Sequence, residues 1–324
     1  MPGEFELIRR HFTRVRDAAA SGVLLGVGDD AALLAPSPGM ALAASSDTLV
    51  NGVHFPADTP AADIGWKALA VNLSDLAAMG AAPRAALLAL TLPAADDAWC
   101  AEFARGLFML ADQAGCPLIG GDTTSGPLSI TVTVLGEVPV DQALRRRGAR
   151  PGDLVCVSGF PGEAALGLGR WRGGSRDVAD PAIARLLRPS PRLTLGLALR
   201  GVATACIDVS DGLLGDLAHV LAASAVDGVA GADIDLAALP RSPVLAALSD
   251  DTALDCVLAG GDDYELCFTV PATAHERLPR IAAETGVPLT VIGRVTAGGG
   301  LRCLDTRGQV RPVTRRSWEH FNGR

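Results

Sequence analysis

Apolar positions recur along this chain with two spacings, and the spacings alternate. Leu128–Val138 has a period of two, with Ile130, Val132 and Val134 set against Thr131 and Thr133, the signature of a half-buried strand. Ala41–Ser46, ending at Asp47, and Arg84–Leu92 are nearly continuous apolar runs and predict buried strands. Pro117–Ile119 predicts a short strand leading into a Gly120-Gly121-Asp122 turn. Between them, Pro60–Met79 carries Ile64, Leu69, Leu73, Leu76 and Met79 at helical spacing, with Thr59 placed to cap and Gly80 to stop. Asp96–Ala114 predicts a second helix ending at Gly115.

The charged, turn-rich stretch Arg145–Gly152 marks a boundary and divides the chain into domains 1–150 and 151–324. Beyond it, strands are predicted at Leu154–Ser158, Ala203–Ile207, Gly231–Leu236, Glu265–Val270 and Leu289–Val295. Helices are predicted from Gly162, over Pro181–Leu187 and Pro191–Arg200, and up to Ala223, the last capped by Ser210 or Asp211. Trp171–Asp180 reads as an exposed loop. Strands and helices mixed in both halves predict an α/β (α+β) fold class.

Composition narrows the function. Of 324 residues, 49% are hydrophobic and 20% charged, which suits packed domains and not a long disordered tail. A net charge of −8 argues against general nucleic-acid binding. The longest apolar stretches, such as Ala85–Leu92, fall short of the ~20 residues of a membrane helix. The opening MPGEFELIRRHF carries acids and no apolar core, unlike a secretory signal. Seven scattered cysteines without a C-x-x-C pair suggest a reducing cytoplasm and neither zinc nor a disulfide framework. Lys67 is the only lysine, so there is no P-loop, and any phosphate must be held by metals, arginines or backbone N–H groups.

The candidate chemistry lies in acids beside glycines or hydroxyls at the ends of apolar runs: GVGDDAALL (Asp29, Asp30), SSDTLVNGVHF (Ser45, Ser46, Asp47, His54), NLSDLAAMG (Asp75), IGGDTTSGP (Gly121, Asp122), IDVSDGLLGDL (Asp208, Ser210, Asp211) and AGGDDYELCF (Asp262, Asp263). Carboxylates that converge at about 4 Å repel by roughly 4 kcal/mol at an effective dielectric near 20. Divalent metal relieves that repulsion, and glycine admits phosphate close to the backbone. A Mg-nucleotide enzyme follows if the segments meet. Each has a plainer reading. Asp29-Asp30 suits a solvated turn, the Asp208–Asp211 segment a helix cap, and Asp75 a solvent-facing helix position. His54 suits a structural hydrogen bond, Arg145–Arg147 a solvated loop, and Trp318 a core edge.

These segments, in this order, resemble the thiamine-monophosphate kinase family, within the ATP-binding superfamily that includes aminoimidazole ribonucleotide synthetase. The resemblance runs over nearly the whole chain. It implies a two-domain synthetase-like fold, with an N-terminal ATP/Mg-binding domain whose sheet forms a homodimer interface. A C-terminal α/β domain would complete the active-site cleft. It also implies direct transfer of the ATP γ-phosphoryl group to thiamine monophosphate. By position, Mg²⁺ ligands fall on Asp30, Ser45, Ser46, Asp47, Asp75, Asp122, Asp208 and Asp211. ATP contacts fall on Gly121, Asp122, Arg146 and Ser210, and substrate contacts on His54, Asp262 and Trp318. The acceptor phosphate is already ionised, so no catalytic His or Cys is expected.

The chain departs from the family pattern at Asn51 and Asp262, where glutamate is frequent, at Ser46 for threonine and at Trp318 for tyrosine. A sister selenophosphate synthetase would carry an early reactive cysteine, whereas the first here is Cys100. A hydrogenase-maturation relative would carry a terminal cysteine, whereas the last residues here are HFNGR. A purine-pathway ligase matches the substrate motifs less well. A regulator that no longer catalyses would not need every acidic position filled.

Overall fold

A computed structural model describes residues 3–14, 22–229 and 231–313 of the chain, which divide into two compact units. The first comprises residues up to Leu76 together with Ala81–Asp141; the second comprises Ala77–Gly80 and the residues from Gln142 onward. Among the described residues, no helix is long and apolar enough to cross a membrane.

The first unit contains α1 (Glu4–Leu7), β1 (Val23–Leu25), β2 (Leu33–Leu34), β3 (Met40–Val50), α2 (Ala61–Ala78), β4 (Ala82–Leu92), α3 (Asp97–Ala114), β5 (Leu118–Ser125) and β6 (Ser129–Pro139). Four of the strands form a sheet in the order β3-β6-β4-β5. Asp96 caps α3 by accepting the Trp99 N–H at 3.0 Å, and Gly115 ends it at φ 61°. Cys100, Phe103, Ala104, Leu107, Phe108 and Ala111 make its buried stripe. The helix α2 is buried on nearly every side, which is why its apolar spacing is only approximate.

Several local expectations are corrected here. Thr59 does not cap α2, because its hydroxyl is buried without a hydrogen-bond partner among the described residues. The Ala41–Ser46 run is not a buried strand ending at Asp47. It belongs to an edge strand that continues to Val50 and leaves Met40, Leu42 and Val50 exposed. Gly120-Gly121-Asp122 is not a turn but the middle of β5, the other edge, paired parallel to β4. Gly121 makes that pairing work: its φ is +146°, and a Cβ there would overlap the Leu88 carbonyl.

The second unit contains β7 (Leu154–Ser158), α4 (Glu163–Arg172), α5 (Pro181–Leu187), α6 (Leu193–Leu199), β8 (Ala205–Val209), α7 (Leu213–Ala223), β9 (Gly231–Asp235), α8 (Pro243–Ala246), α9 (Asp250–Ala259), β10 (Glu265–Val270), α10 (Leu278–Thr285), β11 (Leu289–Thr296) and β12 (Gly300–Leu304). Its six-stranded sheet runs β12-β9-β11-β7-β10-β8 and is antiparallel except for β12 against β9. Val155, Val157, Ile207 and Val209 pack with Leu213, Leu217 and Val257. Cys156, Cys206, Leu266 and Phe268 pack in a separate cluster with Leu195, Leu199, Leu278 and Ile281. With helices on both faces, β7, β8 and β10 are buried throughout, so they read as unbroken apolar runs. Trp171 corrects the loop expectation. It lies within α4, buried against Ile183, Leu186 and Leu187, with the Arg176 guanidinium 4.2 Å above its ring.

Candidate active site

In the first unit, β3 faces α2 through its odd-numbered residues. Ser45 Oγ donates to Asp75 Oδ2, which leaves the Asp75 carboxylate half-buried against the strand and not simply solvated. One helical turn away, Asn72 is fully buried; its Oδ1 accepts the Asp47 N–H at 2.9 Å while its Nδ2 donates to the Ala68 carbonyl at 3.0 Å. Ser45 and Asp47 share this face because side chains on a strand alternate. The group therefore offers a hydroxyl and carboxylates, all hard oxygen donors.

Ser46 points the other way, with its hydroxyl 2.8 Å from Thr133 Oγ1. Thr48 pairs with Thr131 at 2.8 Å in the same row. Across the sheet, Thr48 aligns with Thr131, Ala89 and Asp122. Asp122 is exposed, and its neighbour Thr123 is buried on the helix side. Three strand spacings separate it from β3, roughly 14 Å. Within one copy of the first unit, Asp122 therefore does not join the Ser45–Asp47–Asp75 group.

Asp30 is exposed on the loop after β1, its N–H donating to Asp29 Oδ1 at 2.8 Å. His54 follows β3, and its Nδ1 accepts the Val50 N–H at 2.9 Å. That bond makes Nδ1 the acceptor, so in the neutral ring Nε2 carries the proton.

In the second unit, β8 delivers buried Asp208 to a turn carrying Ser210, Asp211 and Gly212. Neither Ser210 nor Asp211 is the cap of α7; the N-cap is Gly212. The turn amides go instead to Asp216 Oδ2, which accepts from Ser210 N, Asp211 N and Gly212 N at 3.0, 3.1 and 3.1 Å. Burial, and next the Asp211 charge, push the Asp216 carboxyl up to about 7 against these three bonds.

The loop before β10 leans on the same turn. Asp262 N donates to the Ser210 carbonyl and Tyr264 N to the Val209 carbonyl, both at 2.8 Å. Asp262 and Tyr264 both have left-handed backbones, φ 67° and 52°, and the Tyr264 hydroxyl donates to Asp262 Oδ1 at 3.0 Å. Such non-glycine residues cost of order 1–3 kcal/mol each and concentrate at functional loops.

Of the three boundary arginines, Arg147 is engaged with Asp227 at 3.1 and 3.2 Å, whereas Arg146 is exposed. Trp318 lies outside the described residues. Among the described residues, no three His, Cys, Asp or Glu side chains gather closely enough to hold a metal ion by themselves.

Residues 28–138 match the family model of the AIR synthase related protein N-terminal domain, and 150–305 that of its C-terminal domain. The chain is 48% identical over 324 residues to thiamine-monophosphate kinase of Escherichia coli K12, covering 98% of each. The chain belongs to the thiamine-monophosphate kinase family. The crystal structure of the family member from Stenotrophomonas maltophilia K279a superposes with a TM-score of 0.83 at 50% identity, covering 90% of this chain and 93% of that one. AaThiL complexed with AMPPCP and TMP superposes with a TM-score of 0.77 at 30% identity, covering 89% of each chain. The two-unit mixed α/β architecture is that of the family.

Other buried acids of this family member stand out only in the structure. Asp216 lies inside the quoted IDVSDGLLGDL, and its signal was an acid within an apolar helical run. Glu265 carried a similar signal, opening a buried strand. Its carboxylate accepts from Ser158 Oγ at 2.5 Å, from Arg192 Nε at 2.7 Å and from Arg192 Nη2, with Arg185 Nη2 at 3.4 Å. Nothing in the sequence spacing joined these residues.

Proposed function

We propose that this chain transfers the γ-phosphoryl group of ATP directly to the phosphate of thiamine monophosphate, in line and with Mg²⁺, giving thiamine diphosphate and ADP. The observation that carries the reading is the likeness, over 89% of each chain, to a relative holding AMPPCP and TMP. The donor chemistry fits magnesium. The Ser45–Asp47–Asp75 group supplies only oxygens, and Mg²⁺ commonly takes one or two carboxylates, keeps waters and relies on substrate phosphates, so a closed protein cage is not required. Bound Mg²⁺ supplies the charge neutralisation that lets two phosphate groups approach.

The chain's own residues divide the remaining work. Asp30, Ser45, Ser46, Asp47, Asp75, Asp122, Asp208 and Asp211 are proposed as metal ligands. Gly121, Arg146 and Ser210 are proposed against ATP, the last through its hydroxyl because its amide is taken by Asp216. His54 Nε2–H and the Asp262 carboxylate are proposed against thiamine monophosphate, with Trp318 as a stacking face. Asp262 suits the positive thiazolium. The seven cysteines are buried and none is in a disulfide, and burial pushes Cys100 up to about 11 and Cys156 up to about 12, so neither is offered as a thiolate nucleophile. Buried cysteines without disulfides also support a cytoplasmic location.

A homodimer through the first unit belongs to the same proposal. Among the described residues, the β3 and β5 edges are open in the sheet order, and the face away from α2 exposes Met40, Leu42 and Val50. A second copy paired edge to edge would bring its β5 beside this chain's β3, and so its Asp122 motif toward Ser46 and Asp47.

Incubation with Mg-ATP and thiamine monophosphate tests the reaction. ADP and thiamine diphosphate should appear in equal amounts, with inversion at an isotopically chiral γ-phosphorus. ADP without thiamine diphosphate would sink the activity, and retention would sink the single in-line step.

A further inference from the structure

We infer that Asp216 is a positioning residue for the nucleotide: by gathering the amides of Ser210, Asp211 and Gly212, it fixes the turn from which Asp208, Ser210 and Asp211 present their side chains. The inference rests on the proposed metal and ATP roles of those three residues. It adds a residue that touches neither ligand.

Three successive backbone N–H groups converge on one carboxylate oxygen at 3.0, 3.1 and 3.1 Å. Asp216 lies in the first turn of α7 and is 3% exposed. Such a concavity of amides ordinarily takes a phosphate or another anion. Here the protein's own carboxylate occupies it, so the backbone of this turn is closed to a ligand. Two of the turn carbonyls are taken as well, Ser210 O by Asp262 N and Gly212 O by Asp216 N. What the turn chiefly offers is side chains.

Oxygen-bearing residues at such a position usually serve as helix caps. With Asp216 satisfying the turn amides, Ser210 and Asp211 are relieved of that task. The placement is also costly, because a buried carboxyl faces the Asp211 charge. A helix needing only a cap has cheaper solutions nearby in Ser210 and Asp211.

The test compares Asp216→Ala with Asp216→Asn, whose amide oxygen can accept the same three N–H groups. Mn²⁺ with AMPPCP, followed by electron paramagnetic resonance, reports binding without turnover. Steady-state kinetics report KM for Mg-ATP and for thiamine monophosphate separately. Asp216→Ala should weaken Mn²⁺–AMPPCP binding and raise KM for Mg-ATP by about 10- to 100-fold, the usual effect of losing a group that orients metal ligands. KM for thiamine monophosphate should move by no more than about twofold, and Asp216→Asn should stay near wild type.

Wild-type binding in Asp216→Ala, with only a lowered melting temperature, would show a structural role alone and overturn the inference. Asp216→Asn as weak as Asp216→Ala would overturn it too, because charge and not the acceptor would then matter. If Asp216→Ala does not fold, Asp216→Glu displaces the oxygen by one methylene and should weaken binding; wild-type binding there counts against the inference. Asp208→Asn, measured in parallel, separates the underlying reading. Unchanged Mn²⁺–AMPPCP binding in that variant refutes the metal role of the turn whatever Asp216 does.

Discussion

Arg192→Met isolates a buried charge interaction of the second unit. Glu265 is 1% exposed and is met by Ser158, by two nitrogens of Arg192, and by Arg185 at 3.4 Å. Burial pushes its carboxyl up, but the two arginines and the Ser158 hydroxyl outweigh burial and hold it below the ordinary glutamate value. Methionine keeps most of the side-chain bulk and removes the cation. Removing one partner of a buried pair costs about 3–5 kcal/mol.

The pH dependence gives the sharper test. In the wild type the folded-state pKa is depressed, so its contribution is complete above the ordinary glutamate range and is lost only as acid titrates the folded state. In the variant, burial dominates and the folded-state pKa rises above the unfolded one. Its stability therefore falls as pH climbs from about 4.5, by at most about 1.4 kcal/mol per pH unit for one proton. The gap should be small near pH 5 and reach about 3–5 kcal/mol by pH 8. Urea unfolding at both pH values, read from amide exchange in β7 and β10, reports on the second unit alone. An equal gap at pH 5 and pH 8 would refute the electrostatic account and leave only lost packing of the arginine stem.

Two further outcomes follow from the first unit. Asp47→Asn should lower kcat by about 100-fold or more with little change in melting temperature, since the Asn72 bond uses the Asp47 backbone and not its carboxylate. Near-wild-type turnover at saturating Mg²⁺ would remove Asp47 from the metal set. Gly106→Ala should destabilise this unit by about 3 kcal/mol, because the added methyl would overlap the Ala62 carbonyl where α2 and α3 touch. Gly169→Ala is the control. Among the described residues, nothing lies within 4 Å of its added methyl, and calorimetry should find it neutral or slightly stabilised.

The sequence was most legible where one physical cause acted alone. The β6 alternation, with Ile130, Val132 and Val134 buried, and the stripe of α3 follow from having one covered face. The unbroken runs of β7, β8 and β10 follow from having two. It was least legible where long-range pairing overrides local preference. Gly120-Gly121-Asp122 has turn composition but is drawn into a strand by its parallel partner β4. The helices α9 and α10 were not anticipated at all. For the site, the sequence singled out individual acids but gave no distances. Ser45 with Asp75, Asp47 with Asn72, and Asp216 with its three amides are pairings made by the fold, across 30, 25 and up to 6 positions of chain.

Asp262 shows how a departure from the family pattern can be reconciled with its backbone. It stands where the resemblance leads one to expect glutamate, and a shorter carboxylate has less reach. Its φ of 67° lies in the left-handed region, which aspartate tolerates better than glutamate because its short side chain bonds locally. Its carboxylate does receive such a bond, from the Tyr264 hydroxyl two residues on, while its amide is fixed to the Ser210 carbonyl. The loss of a methylene is thus matched by a carboxylate held in one orientation, so less freedom remains to be lost on binding. Because the tether ends on the turn that Asp216 organises, the proposed substrate carboxylate and the proposed nucleotide side chains of the second unit stand on one hydrogen-bonded backbone.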